Sequence, residues 1–94
     1  MNRDAAEILA LQALSFIVSD DKARETFMTQ TGLDGAEMRA AAATVEFQAG
    51  LLEFLGRHEN LLMAFCESVG AQPEEIGPAV RALVPHGAHG EWNS

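Results

Sequence analysis

Residues 9–41, LALQALSFIVSDDKARETFMTQTGLDGAEMRAA, are answered by residues 47–79, FQAGLLEFLGRHENLLMAFCESVGAQPEEIGPA. Leu9, Leu14, Phe16, Ile17, Phe27, Gly32, Glu37, Met38 and Ala41 line up with Phe47, Leu52, Phe54, Leu55, Phe65, Gly70, Glu75, Ile76 and Ala79. The offset is about 38 residues and no gap is needed, which is the signature of one supersecondary unit used twice. A unit that short cannot bury its own apolar face and must pack against its neighbour. The expected fold is therefore all-α, a compact bundle of five to six helices built from two tandem copies. Copy one would span about residues 5–43 and copy two about residues 44–84, within a single domain of residues 1–85.

Working outward, residues 4–19 read as a helix that is apolar around most of its circumference. Gln12, Ser15 and Ser19 form its polar stripe, within about 60° of arc at 100° per residue. A helix so apolar is expected to be central. Asp20 or Asp21 can cap the next helix, residues 21–31, which is anchored by Ala23, Phe27 and Met28 and ended by Gly32 as a left-handed residue. Asp34 with Glu37 is a capping-box pair that starts a short helix, and Thr44 is the next cap. Residues 45–56 then carry Glu46, Gly50, Glu53 and Arg57 on one polar stripe, with Glu53 and Arg57 spaced as an i,i+4 ion pair. Leu61, Leu62, Phe65 and Val69 mark the helix that Gly70 closes. Pro73 suits a first helical turn, and Glu74 and Glu75 follow where the helix dipole favours them. Pro78 is expected to kink or split the last helix near Gly77, because it lacks a backbone donor. The expected core is Leu14, Phe16, Ile17, Leu51, Leu52, Phe54, Leu55, Leu62 and Phe65. Residues 86–94, HGAHGEWNS, have no apolar period and read as a flexible tail unless Trp92 docks.

Charge and cysteine usage set bounds on function. Six Lys and Arg against fourteen Asp and Glu leave a net charge of −8, which repels nucleic-acid phosphates and anionic lipid surfaces. The Thr31-Gly32-Leu33-Asp34 turn has the outline of a helix-turn-helix, but its second helix offers Arg39 as a lone base. Nucleic acid and membrane are set aside as partners. Cys66 is alone, so no intramolecular disulfide forms and a cytoplasmic, reducing setting is expected. The N-terminal stretch looks superficially like a signal peptide, yet Asp4, Glu7 and Gln12 interrupt it and it shares its pattern with residues 47–55.

Residues with chemical potential are few. His86, His89 and Glu91 are two nitrogens and a carboxylate that a zinc ion would accept, but Gly87 and Gly90 argue against the helix that would order them. Cys66 would need an adjacent base to act as a nucleophile. His58, eight residues upstream on one helix, is about 12 Å away along the axis. No catalytic residue and no cofactor is expected. Phe27, Met28, Met38 and Met63 are candidates for an adaptable interaction surface, although helical spacing also suits them to a core. The expected function is a non-enzymatic protein-interaction or adaptor module, monomeric or homodimeric. The alternative is a small-ligand binder or enzyme with a pocket between the copies.

The stretches AEILALQALSFIVSDD, FMTQTGLDGAEMRAAA and FQAGLLEFLGRHENLLMAFCESVGAQPEEI resemble a small alphaproteobacterial family of proteins known as a domain of unknown function. The resemblance covers about residues 5–80 and departs at Pro78 and in the tail. It implies an all-helical protein of intracellular bacterial type and brings no activity, cofactor or site residue with it.

Overall fold

The computed structural model describes residues 1–84. Pro85 and the tail with His86, His89, Glu91 and Trp92 lie outside them. Six α-helices follow one another: α1 (Arg3–Ser19), α2 (Asp21–Thr31), α3 (Gly35–Ala41), α4 (Val45–Arg57), α5 (Glu59–Val69) and α6 (Ile76–Leu83). A single 3₁₀ turn, Pro73–Glu75, precedes α6, and there is no strand among the described residues. The fold is an all-α bundle.

Local signals place the helix ends. Asn2, Asp20 and Asp34 each accept a hydrogen bond from a backbone N–H three residues on, at 2.7, 2.9 and 2.8 Å. Glu37 returns the bond to the Asp34 N–H at 2.9 Å, completing the capping box, and Thr44 starts α4 by accepting from Phe47. Each such cap satisfies a donor that the first helical turn leaves without a partner. Gly32 and Gly70 end α2 and α5 with φ of 74° and 72°, a left-handed conformation in which a Cβ is strained.

Helices α1, α4 and α6 pack against one another in all three pairings and form the centre of the bundle, with α2 laid on α1 and α5 on α4. The core runs through Ile17, Leu51, Leu52, Phe54, Leu55, Phe65 and Leu83. Along α1 the buried residues are mostly small, Ala6, Ala10 and Ala13 with Leu9 and Ile17, which lets neighbouring helices approach closely. The Phe16 and Phe65 rings meet edge-on at 5.7 Å, a favoured aromatic geometry.

Four expectations are corrected. First, α1 is central, as expected, but it is not surrounded. It is packed on one side, and Ile8, Leu11 and Val18 face outward. Second, Leu14, Phe16 and Leu62 are half-buried against the core rather than within it. Third, the helical run from Pro73 is split near Gly77, as expected, but Pro78 does not interrupt α6. The change from 3₁₀ to α geometry falls between Glu75 and Ile76, so Pro78 lies in the first turn of α6, where a missing N–H costs nothing. Fourth, the sequence periodicity does not carry through to packing. Helices α2 and α5 are in register and both end in a left-handed glycine, but α6 is wedged between α1 and α4, whereas its counterpart α3 contributes a single buried residue, Met38.

Candidate functional site

Two surface features stand out once the core is assigned. One is the outer face of α1. Ile8, Leu11 and Val18 are 59, 50 and 45% exposed, and with Asp4 and Ser15 they fall within about 80° of arc on the helix. Their side opposes the Ala6–Ala10–Ala13 face that the bundle buries. Three large aliphatic side chains aligned in water lose their hydrophobic driving force within the monomer. The polar residues Gln12, Ser15 and Ser19 mark the solvent side of this helix. Ile8 lies in the middle of that arc, which is the signal by which sequence reading could have found the stripe.

The second feature is a cleft of ≈ 310 Å³ between α2 and α4. Phe27, Phe47, Phe54 and Leu33 form its apolar base. The Phe27 ring meets Phe54 edge-on at 5.0 Å and Phe47 at 5.9 Å, so the base is a packed aromatic triple. The α2 wall is fixed at its C-terminal end by Thr31, whose hydroxyl donates to the Phe27 carbonyl at 2.8 Å and accepts from the Leu33 N–H at 3.2 Å. The α4 wall presents Glu46, Gly50, Glu53 and Arg57, the polar stripe read from the sequence. The Glu53–Arg57 pair anticipated there is not formed. Among the described residues the ion pairs are Arg3–Glu7 at 3.2 Å and Arg24–Asp21 at 2.9 Å, both on exposed surface and worth a few tenths of a kcal/mol at about one helical turn.

His58 closes one end of this arrangement. It is the single residue between α4 and α5, its ring lies 4.4 Å from that of Phe54, and its Nδ1 donates to the Phe54 carbonyl at 2.8 Å. That donation leaves Nε2 as an acceptor for the Gln30 amide at 3.1 Å, so α2 is tied to the α4–α5 corner. Gln48 ties a different corner. Buried on α4, it donates from Nε2 to the Ala42 carbonyl at 3.0 Å, and its Oε1 accepts from no described residue.

The four side chains anticipated as an interaction surface do not come together. Phe27 and Met38 are core, at 3 and 2% exposure, Met28 is half-buried against the core, and Met63 alone is exposed, on α5. Phe27 and Met38 are removed from any docking surface, because their helical phase turns them inward. Among the described residues no three His, Cys, Asp or Glu side chains gather as a metal site, and no helix is long and apolar enough to cross a membrane. The candidates His86, His89 and Glu91 lie outside the described residues.

Cys66 is buried. Loss of solvation raises its thiol pKa above the ordinary 9.0, and the nearby Glu75 and Glu74 carboxylates raise it further. The thiol is therefore protonated at neutral pH and shielded, so a thiol probe should label it at the rate of unfolding rather than at the rate of a free cysteine. The sign of the accompanying pH dependence is fixed. Above about pH 9 the unfolded chain ionises its thiol before the folded chain does, so stability falls as pH rises. The stability difference between wild type and Cys66→Ala, measured by urea melts from neutral pH to beyond pH 9, is expected to shrink across that window. A difference independent of pH would show that the thiol is not desolvated.

No curated protein and no solved structure matches the chain. One family model does, over residues 3–86, which takes in every helix from α1 to α6, and the chain accordingly belongs to the family described as protein of unknown function, DUF3572.

Proposed function

We propose that this chain is a non-enzymatic protein-interaction module whose docking face is the outer stripe of α1. The observation that carries the reading is the alignment of Ile8, Leu11 and Val18, each about half exposed, on a helix whose other side is packed into the bundle. Such a stripe is a natural anchor for an amphipathic helix, which supplies apolar side chains at matching spacing. Its apolar area is at most a few hundred Å², below the roughly 800 Å² per partner of a stable interface, which favours a transient contact with a larger partner over a stable self-dimer. The net charge of −8 favours a basic partner. A single free thiol fits a reducing compartment, so the cytoplasm is the proposed setting.

Leu11→Asp tests the reading. Because Leu11 is half exposed on the outer face, the substitution is expected to cost about 1 kcal/mol of folding stability while placing a charge in the centre of the apolar contact. Affinity capture from source cells with wild type and Leu11→Asp in parallel should retain a basic partner on the first and lose it on the second. Equal retention would overturn the assignment of the face. Sedimentation of wild type as a stable dimer and of Leu11→Asp as a monomer would show instead that the stripe joins two copies.

A further inference from the structure

We propose that the cleft between α2 and α4 receives a lysine or arginine side chain of a partner protein, and that Gly50 is the residue that holds the cleft open for it. Glycine within a helix is destabilising relative to alanine, so an interior glycine calls for a reason. Gly50 has none in the fold. Its φ is not positive, and a Cβ built on it meets no atom of the described residues within 4 Å. It also lines the cleft, between Glu46 one turn before and Glu53 one turn after. What glycine provides at this position is open space in the α4 wall of the cleft.

The walls specify what would fill that space. Half-buried Phe47 and Leu33, backed by the buried Phe27 and Phe54 rings, accept an aliphatic stem, and the exposed carboxylates of Glu46 and Glu53 accept a cation at its end. Neither carboxylate takes part in an ion pair among the described residues. Arg57, on the same stripe, stands about 16 Å along the axis from Glu46, so the charge of the α4 wall is graded, acidic from Glu46 to Glu53 and basic at the helix end. The acid-rich end together with the net charge of −8 selects a basic side chain and disfavours an anionic one. The site lies on α2 and α4 and is independent of the α1 stripe, so either proposal can fail alone.

The test uses the full chain and a short peptide of alternating leucine and lysine, followed by amide chemical shifts. Binding is expected to perturb the amides of Phe47, Gly50 and Gln30. Gly50→Leu fills the cleft without a steric clash at Cβ, so helicity should be kept while affinity falls at least about tenfold. The double substitution Glu46→Gln and Glu53→Gln should weaken binding by a similar factor and flatten its salt dependence. Shifts confined to α1, equal affinity in Gly50→Leu, or equal affinity for a peptide with norleucine in place of lysine would each overturn the proposal. Equally tight binding of Nα-acetyl-lysine amide alone would assign the cleft to a small cation and overturn the protein partner.

Discussion

Phe54→Ala is expected to destabilise the protein by about 3–5 kcal/mol, the largest loss of any single truncation here. Phe54 is 1% exposed and holds three relationships at once. Its ring meets Phe27 on α2 edge-on at 5.0 Å, it lies 4.4 Å from the His58 ring, and it sits on α4, which α1 and α6 hold in place. Because those helices restrain the α4 backbone, the space left by the ring can collapse only in part, and the cavity adds to the lost transfer energy. A chain of this size has a total stability of roughly 5–14 kcal/mol, so the variant would lose a large fraction of it. Its melting temperature should fall by roughly 15–30 °C. Urea melts followed by far-UV circular dichroism would show it, with a lower midpoint at similar slope. A variant melting within about one degree of wild type would show that Phe54 is not interior. The Phe27→Ala and Phe54→Ala cycle should give a coupling of about 0.5–1.5 kcal/mol, which would separate the aromatic contact from simple burial.

How much of this is written locally in the chain can be seen residue by residue. Asp20, Asp34 with Glu37, and Thr44 state where helices begin, and Gly32 and Gly70 where they end, because caps involve neighbours within four residues. The phase of α1 is not written so plainly. Apolar residues surround it, so the periodicity carries little directional information, and Leu14 and Phe16 look as interior as Ile17 does. Pro78 misleads for a related reason. A proline eight residues after a glycine stop reads as interior to one helix, whereas the 3₁₀ turn at Pro73–Glu75 delays the start of α6 to Ile76. Of the cleft, sequence reading reaches Glu46, Gly50, Glu53 and Arg57 as a polar stripe. That the stripe faces Phe27 and Gln30 across a gap depends on how α2 and α4 are placed by the rest of the bundle, and no local pattern encodes that.

Leu52→Ala and Leu14→Ala form the second test, because the two leucines, 38 residues apart, are matched by the sequence pattern and unequal in the structure. Leu52 is fully buried, whereas Leu14 is half-buried on α1. Alanine and leucine differ little in helix propensity, so local terms cancel in the comparison and burial decides the outcome. Leu52→Ala is expected to cost about 2–5 kcal/mol. Leu14→Ala removes apolar surface that is already partly wet and should cost no more than about 2 kcal/mol. The same inequality separates Phe54, which is buried, from its equivalent Phe16, which is half-buried. Six residues of the 13-residue α4 are buried, against five of the 17-residue α1, so α4 is covered more completely than α1. Paired urea melts would measure the difference. Equal losses would mean that α1 is as enclosed as α4, and the outward orientation of Ile8, Leu11 and Val18, with the docking face built on it, would have to be abandoned.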